Sequence, residues 1–200
     1  MEAHIKEAVT AHPVAGFIRE RWSARAFADM PIPEEQMATI FEAATWASSS
    51  MNAQPWRFVY GNKGDTVFNG LFDVLMPGNQ PWAKNAAVLI AVIAHLRHGT
   101  ANAVNTHAMH DVGAAQILLL LQARELGIYG HQMGGFYRDK AREFLGLNDD
   151  YEIATIIALG YLGDPEQLTE PFRSRELMSR SRKPLQETVF KSPQEFTRNI

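Results

Sequence analysis

The sequence predicts a single domain in which helices and strands alternate along the chain. Three observations carry this. Residues 86–94 and 153–159 are short, continuously apolar runs, the second β-branched at Ile153, Thr155, Ile156 and Ile157, and such runs read as strands covered on both faces. Elsewhere apolar residues recur at the three-to-four-residue spacing of a helix face. Hydrophobic residues make up 46% of the 200 and charged residues 20%, a balance that fills a core and does not suggest disorder.

In chain order, Pro13 opens a first helix, with Val14, Phe17, Ile18 and Trp22 on one face and its C-terminal end in the stretch Arg21-Trp22-Ser23-Ala24-Arg25. Residues 26–32 connect to a second helix at Pro33. Glu34 and Glu35 in its first turn suit the helix dipole, and Met37, Ile40, Phe41 and Ala44 form its buried stripe. An uncharged turn, Ser48-Ser49-Ser50-Met51-Asn52-Ala53-Gln54-Pro55-Trp56, leads into a strand at 57–60. Gly61-Asn62-Lys63-Gly64 closes that strand, and Asp65 caps a third helix that buries Val67, Leu71, Val74 and Leu75 before Pro77-Gly78 stops it.

After the strand at 86–94 comes the longest helix, 102–126, ended by Gly127. From Val112 to Leu121 it is apolar nearly all round, apart from Gln116, so it belongs at the centre of a core and of an interface. Residues 130–136 read as a flexible loop. A short helix at 138–145 is capped by Gly146, and the strand at 153–159 follows. From 163 to 199 the periodicity weakens and Pro165, Pro171, Pro184 and Pro193 predict an extended tail. Its Phe172, Leu177, Leu185, Val189, Phe190 and Phe196 suit wrapping round a second subunit.

Several function classes drop out. A formal charge of −3 and a pI near 6.2 leave no basic footprint for nucleic acid. The absence of cysteine removes disulfides, thiolate nucleophiles, Cys-ligated zinc and iron–sulfur clusters. Residues 1–10 lack the apolar core of a signal peptide, and no run reaches the ~18 apolar residues of a membrane span. These features are compatible with the cytoplasm.

The chemistry concentrates in four places. Arg21 with Arg25 and Arg180 with Arg182 bracket the chain, each pair with a serine between (Ser23, Ser181). Guanidinium forks match phosphate oxygens and a hydroxyl adds a donor, so the two clusters together suit a bound phosphate; either alone also reads as a solvated basic surface. Residues 48–56 offer hydroxyls and two carboxamides, donors and acceptors without fixed sign, as a polar neutral ring such as a flavin needs; the stretch also reads as a capped loop. Gly134-Gly135 lets backbone approach a ligand, or is a plain turn. His95-x-x-His98 and His107-x-x-His110, with Asp111 beside the second pair, have metal-compatible spacing, but neither an H-E-x-x-H nor a G-x-S-x-G, G-x-G-x-x-G or P-loop pattern occurs, and no metal is expected.

Taken together, Arg21-Trp22-Ser23-Ala24-Arg25, Ser49-Ser50-Met51-Asn52-Ala53-Gln54-Pro55-Trp56, Gly134-Gly135-Phe136 and Arg180-Ser181-Arg182 resemble the FMN-dependent nitroreductase family in order and separation across almost the whole chain. The resemblance implies an α+β fold of three layers, a central, mainly antiparallel sheet flanked by helices. It implies one domain over 1–200, whose extension from about 163 wraps the partner of an intertwined homodimer with two FMN sites at the interface.

By the same resemblance, Arg21, Trp22, Ser23 and Arg25 hold FMN from one side, chiefly at its phosphate and ribityl chain, and Arg180 and Arg182 complete the phosphate clamp. Ser49, Ser50, Met51, Asn52 and Gln54 reach the flavin from the partner. Gly134 and Gly135 lie near N5 with Gln132 and Met133 beside them, and Asn79 meets the pyrimidine edge. Many members have a proline at the place of Ser48 and an acidic residue just before the glycine of the N5 loop, which is absent here.

The implied activity is a ping-pong transfer of hydride from NADH or NADPH through flavin N5 to nitroaromatics, quinones or related electron-poor compounds, with no titratable catalytic side chain. Oxygen-dependent flavin chemistry and reductive dehalogenation are alternatives within the family, decided in a variable lid at 98–110. A flavin-binding carrier or regulator without turnover is an alternative of another class, and a cofactor-free dimerisation domain is a third.

Overall fold

Four strands build the sheet, and backbone pairing sets their order. In this computed structural model, which describes residues 4–98 and 103–197, β1 (Trp56–Asn62), β2 (Val88–His95), β5 (Ile128–Met133) and β6 (Tyr151–Tyr161) run β1-β2-β6-β5, every neighbour antiparallel. A separate short pair joins β3 (Arg97–His98) to β4 (Ala103–Val104).

The expected apolar strand at 86–94 is β2, and its composition has a simple cause. Leu89, Ala91 and Ile93 pack into one core cluster, while Val88, Ile90, Val92 and Ala94 pack into another. Successive side chains point to opposite faces of a strand, so a strand with two buried faces needs apolar residues throughout. The register between β2 and β6 shifts at Val92/Ile93, a bulge in the middle of the pairing.

Helices cover both faces. On one lie α2 (Glu34–Thr45), opened after Pro33, and α5 (Ala108–Glu125); Met37, Ile40 and Ala44 are buried as expected and Phe41 packs against them. On the other lie α3 (Thr66–Asp73), α4 (Gln80–Ala83) and α6 (Arg138–Leu145). Asp65 caps α3 as predicted, its Oδ1 accepting from Phe68 N at 2.7 Å. Gly146 ends α6 at φ 63°, and Gly127 follows α5 at φ 77°, left-handed positions that glycine adopts freely.

Three expectations need correction. Helix α5 begins at Ala108, so the first six residues of the expected 102–126 helix fall outside it: 103–107 are not helical, and Asn102 lies outside the described residues, as does 99–102 of the expected lid. Residues 130–133 are not loop: they belong to β5, paired with β6 from Ile128↔Tyr161 to Met133↔Ile156. The first helix, α1 (Gly16–Glu20), ends before Arg21, and its Val14, Phe17 and Ile18 stripe is exposed.

The tail is partly helical, with α7 (Phe172–Leu177) and α8 (Pro193–Thr197). As far as Arg180 it docks on its own chain: Leu168 is buried in the core, Phe172 packs against it, Gln167 Nε2 donates to Phe27 O at 2.9 Å, and Arg180 Nη1 donates to Arg21 O. Beyond that point Leu185, Val189 and Phe196 are exposed. The two ends of the expected domain, residues 1–3 and 198–200, lie outside the described residues.

Gln116, the single polar residue within the apolar stretch of α5, is buried and accepts from Thr155 Oγ1 of β6 at 2.6 Å. Thr155→Val keeps the shape and removes that donor. The expected cost is about 1–3 kcal/mol, read as a lower denaturation midpoint at unchanged slope.

Candidate functional site

The stretch after α1 is extended, and this decides what it presents. Trp22, Ala24 and Ala26 are buried in the core, whereas Arg21, Ser23 and Arg25 are at least partly solvent-facing. A period of two puts the two arginines and the serine on one side of the strand-like segment. Backbone contacts hold it against the sheet: Ala28 N donates to Tyr161 O at 2.9 Å and Gly163 N to Ala26 O at 2.9 Å. A helical reading of 21–25 would have scattered these side chains; the extended backbone gathers them.

Two cavities open on this segment and share Arg21. One, of about 360 Å³, is lined by Arg21, Ser23 and Gln132 with Ile117 and Leu120 of α5. The other, also about 360 Å³, is lined by Arg21, Arg180, Ser181 and Arg182 with Val9, Val14 and Ile18 among its apolar walls. The two arginine clusters therefore meet, although 159 residues separate Arg21 from Arg180. Arg180 Nη1 donates to Arg21 O at 2.6 Å and its Nη2 to Arg19 O.

Charge is unbalanced at this meeting point. Arg19 pairs with Glu7 at 3.0 Å and Arg124 with Glu20 at 2.5 Å. Among the described residues Arg21, Arg180 and Arg182 make no ion pair with a carboxylate. Burial, and then the neighbouring Arg180 and Arg182, lower the Arg21 pKa; burial and Arg182 lower that of Arg180. Glu7 partly opposes this at Arg180; arginine stays protonated regardless, so the rest of the repulsion is left for an anion to relieve. Guanidinium groups without a carboxylate partner around a cavity suit a bound anion such as phosphate.

Other expected residues fall into three groups. Asn79 Nδ2 donates to Gly135 O at 2.9 Å, so Asn79 and the diglycine turn form one unit, and Met76 N donates to the same carbonyl at 3.0 Å. A Cβ added at Gly134 would meet open space, whereas one at Gly135 would lie 2.9 Å from Asn79 Nδ2. Gly134 thus offers exposed backbone that a flat ligand can approach. Trp22 and Met133, expected at the ligand, turn their side chains into the core, 5% and 2% exposed, which leaves only their backbone for it. Arg25 stacks its guanidinium over Trp82 at 5.8 Å instead of lining either arginine cavity.

The Ser49–Gln54 stretch forms a third group. Its bonds run within itself and to its own chain: Gln54 N donates to Ser49 Oγ at 3.0 Å, and Gln54 O accepts from Arg57 Nη1 at 3.0 Å. Met51, Asn52 and Gln54 have φ of 53°, 53° and 47°. Side chains in that left-handed region carry strain of order 1 kcal/mol or more each. Asp111, 3% exposed, helps hold the strained loop: its Oδ2 accepts from Ser50 N at 2.9 Å and its Oδ1 lies 2.9 Å from His110 Nδ1. Burial raises the Asp111 pKa, yet the bonds from His110 and Ser50 outweigh it and the carboxyl stays below its ordinary range.

Sequence reasoning placed Asp111 beside a candidate histidine pair and missed this role; its position in the first turn of a helix was the available signal. His95 instead stacks on Tyr151 at 4.9 Å. Among the described residues no cluster of three or more histidine or acidic side chains could hold a metal.

A family profile described as the nitroreductase family matches residues 18–67 and 62–161. A solved oxidoreductase containing FMN is 36% identical, covers 96% of each chain and superposes with a TM-score of 0.89. A Desulfovibrio desulfuricans protein solved in complex with FMN is 26% identical over 92% of this chain and 99% of its own, TM-score 0.72. An NADH dehydrogenase of Thermus thermophilus is 28% identical over 71% of this chain and 83% of its own.

His131 supplies a pH signature for this region. Its Nδ1 lies 3.1 Å from Ala24 O, so Nδ1 carries the proton and donates, and its ring packs 4.5 Å from Trp82. Burial, then the charge of Arg25, push its pKa from 6.5 to about 4. Between those values the unfolded chain binds a proton that the native state refuses. Stability is therefore complete above pH 6.5 and falls towards pH 4 by about 1.4 kcal/mol per unit, roughly 3 kcal/mol in all. Denaturant melts across pH 4–7 check this, and His131→Asn, which can keep the bond to Ala24, should flatten the slope.

Proposed function

The chain belongs to the nitroreductase family, and from that premise we propose that it is an FMN-dependent NAD(P)H oxidoreductase acting on nitroaromatics, quinones or related electron-poor compounds. The observation that carries the reading is the set of three unneutralised guanidinium groups, Arg21, Arg180 and Arg182, beside a cavity lined by Ser23 and Gln132. Those residues fit a phosphate ester attached to a polar chain and ring. FMN, when bound, supplies the two-electron chemistry of accepting hydride from a nicotinamide and passing it on.

The chain's own contributions follow from its geometry. Arg21, Arg180 and Arg182 hold the phosphate, with Arg25 behind them adding positive potential. Ser23 and Gln132 donate to the ribityl chain and ring. The exposed backbone at Gly134, braced by the Asn79–Gly135 bond, lies against the ring. Donors fixed before the reaction stabilise negative charge that builds on the ring without reorganising. Ile117 and Leu120 give the ring an apolar wall and keep water from it.

A second copy of the chain completes the site. Trp46 and Met51 are 79% and 87% exposed, and Phe17, Ile18, Met109 and Ile117 add to the uncovered apolar surface. Such a surface is costly in a lone chain and suits a symmetric interface. In that homodimer Ser49, Ser50, Asn52 and Gln54 reach the partner's ring, and residues 183–197, with exposed Leu185, Val189 and Phe196, wrap the partner. The same reading puts the protein in the cytoplasm. Separately, no helix among the described residues is long and apolar enough to cross a membrane.

The purified protein should be yellow, and anaerobic NADH or NADPH should bleach the flavin, with a nitroaromatic or quinone restoring its colour. A flavin that neither nicotinamide reduces means a carrier, and a protein that takes up no FMN overturns the reading. Arg21→Ala and Arg182→Ala should each weaken FMN binding by about 1.5–3 kcal/mol in fluorescence titrations. Unchanged affinity in both refutes the clamp.

A further inference from the structure

The two halves of the arginine cluster come from opposite ends of the chain, so something must hold them in register. The buried carboxylate of Glu176 lies at their junction. It sits in α7, four residues before Arg180, and is 2% exposed. Its Oε1 accepts from Arg25 N at 2.8 Å and from Ala26 N at 2.9 Å. One oxygen thus takes two consecutive backbone N–H groups of the extended segment that displays Arg21 and Ser23. Its other oxygen has no hydrogen-bond partner among the described residues.

Lys6 secures the same junction from a third direction. Its Nζ donates to Arg175 O, the carbonyl just before Glu176, at 2.5 Å, and lies 5.3 Å over the Trp22 ring. Burial lowers the Lys6 pKa, while Glu176 raises it. Segments near both termini and the Arg21–Arg25 strand therefore converge on one buried carboxylate. Downstream, Arg180 bonds Arg21 O and Arg19 O, repeating the attachment four residues later.

We propose that Glu176 is a positioning residue for the cofactor phosphate: it latches the strap that carries Arg180 and Arg182 onto the strand that carries Arg21 and Ser23. This rests on the FMN reading above. The latch acts on the phosphate end of the ligand and leaves the ring end alone, because Gln132, Gly134 and Asn79 are held by β5 and α4 and not by the strap. Neutral replacement by glutamine preserves an acceptor at the same reach. Alanine removes the acceptor and leaves two buried N–H groups unpaired.

The test uses the full-length protein stripped of flavin, titrated with FMN and with riboflavin, which lacks the phosphate. Glu176→Ala is expected to weaken FMN at least tenfold and riboflavin less than twofold. Glu176→Gln should recover FMN binding to within about threefold of the unaltered protein. In an Arg180→Ala/Arg182→Ala background, Glu176→Ala should cost FMN nothing further, since the strap then has nothing to deliver. If Glu176→Ala does not fold, Glu176→Asp, too short to reach both N–H groups, takes its place with the same expectation. Equal losses of FMN and riboflavin, no loss of FMN, or a loss that adds to that of the double arginine variant each overturn the latch. If the double arginine variant loses no more affinity for FMN than for riboflavin, the clamp assignment falls, and the latch with it. If that variant discriminates as expected and Glu176→Ala does not, the latch alone falls.

Discussion

The pairing of β2 with β6 is the constraint on which the remaining structure rests. Both strands run through the middle of the sheet and both feed residues into two cores. A sheet buried on two faces demands a helical layer on each, supplied by α2 and α5 on one side and by α3, α4 and α6 on the other. That arrangement leaves β5 as an edge strand. An edge has unpaired backbone and exposed alternate side chains, and there Gln132 and the diglycine turn are presented. The candidate site is therefore a consequence of where the sheet stops.

Electrostatics then separates structure from ligand. Several arginines here are answered by a carboxylate: Arg142 by Asp149, Arg97 by Asp150, Arg173 by Glu166 and Glu170. Exposed pairs of that sort contribute little to stability. Arg21, Arg180 and Arg182 differ in facing one another across a cavity. Holding like charges together in a partly desolvated place costs folding free energy, which an incoming anion offsets. The same trade shows in the Ser49–Gln54 loop, where three left-handed residues are kept in place by Asp111 and Arg57. Strain kept in place by specific bonds is typical of backbone that must present donors outward.

Local elements were legible where one physical signal dominated. Asp65 as a cap, Gly146 as a helix end, and the double-sided strand at 86–94 each follow from short-range chemistry. Signals failed where tertiary packing overrode periodicity. The spacing of Val14, Phe17, Ile18 and Trp22 suggested a longer buried helix, yet the chain leaves helical geometry at Glu20 to run beside the end of β6. Residues 130–133, with two polar side chains and a glycine, looked like loop because an edge strand needs no apolar alternation on its open side.

The sequence by itself determined the inventory: which stretches could be helix or strand, that thiol chemistry was excluded, and that arginine–serine clusters near both ends, a carboxamide turn and a diglycine turn occurred in the order typical of one family. These depend on residue type and spacing alone. Only the tertiary structure decided that Arg21 and Arg180 touch, that Trp22 and Met133 face inward, and that Asp111 and Glu176 hold backbone. Such contacts join residues far apart in the chain, 159 positions for Arg21 and Arg180, and no local pattern encodes a distance that only the folded sheet and its docked strap create.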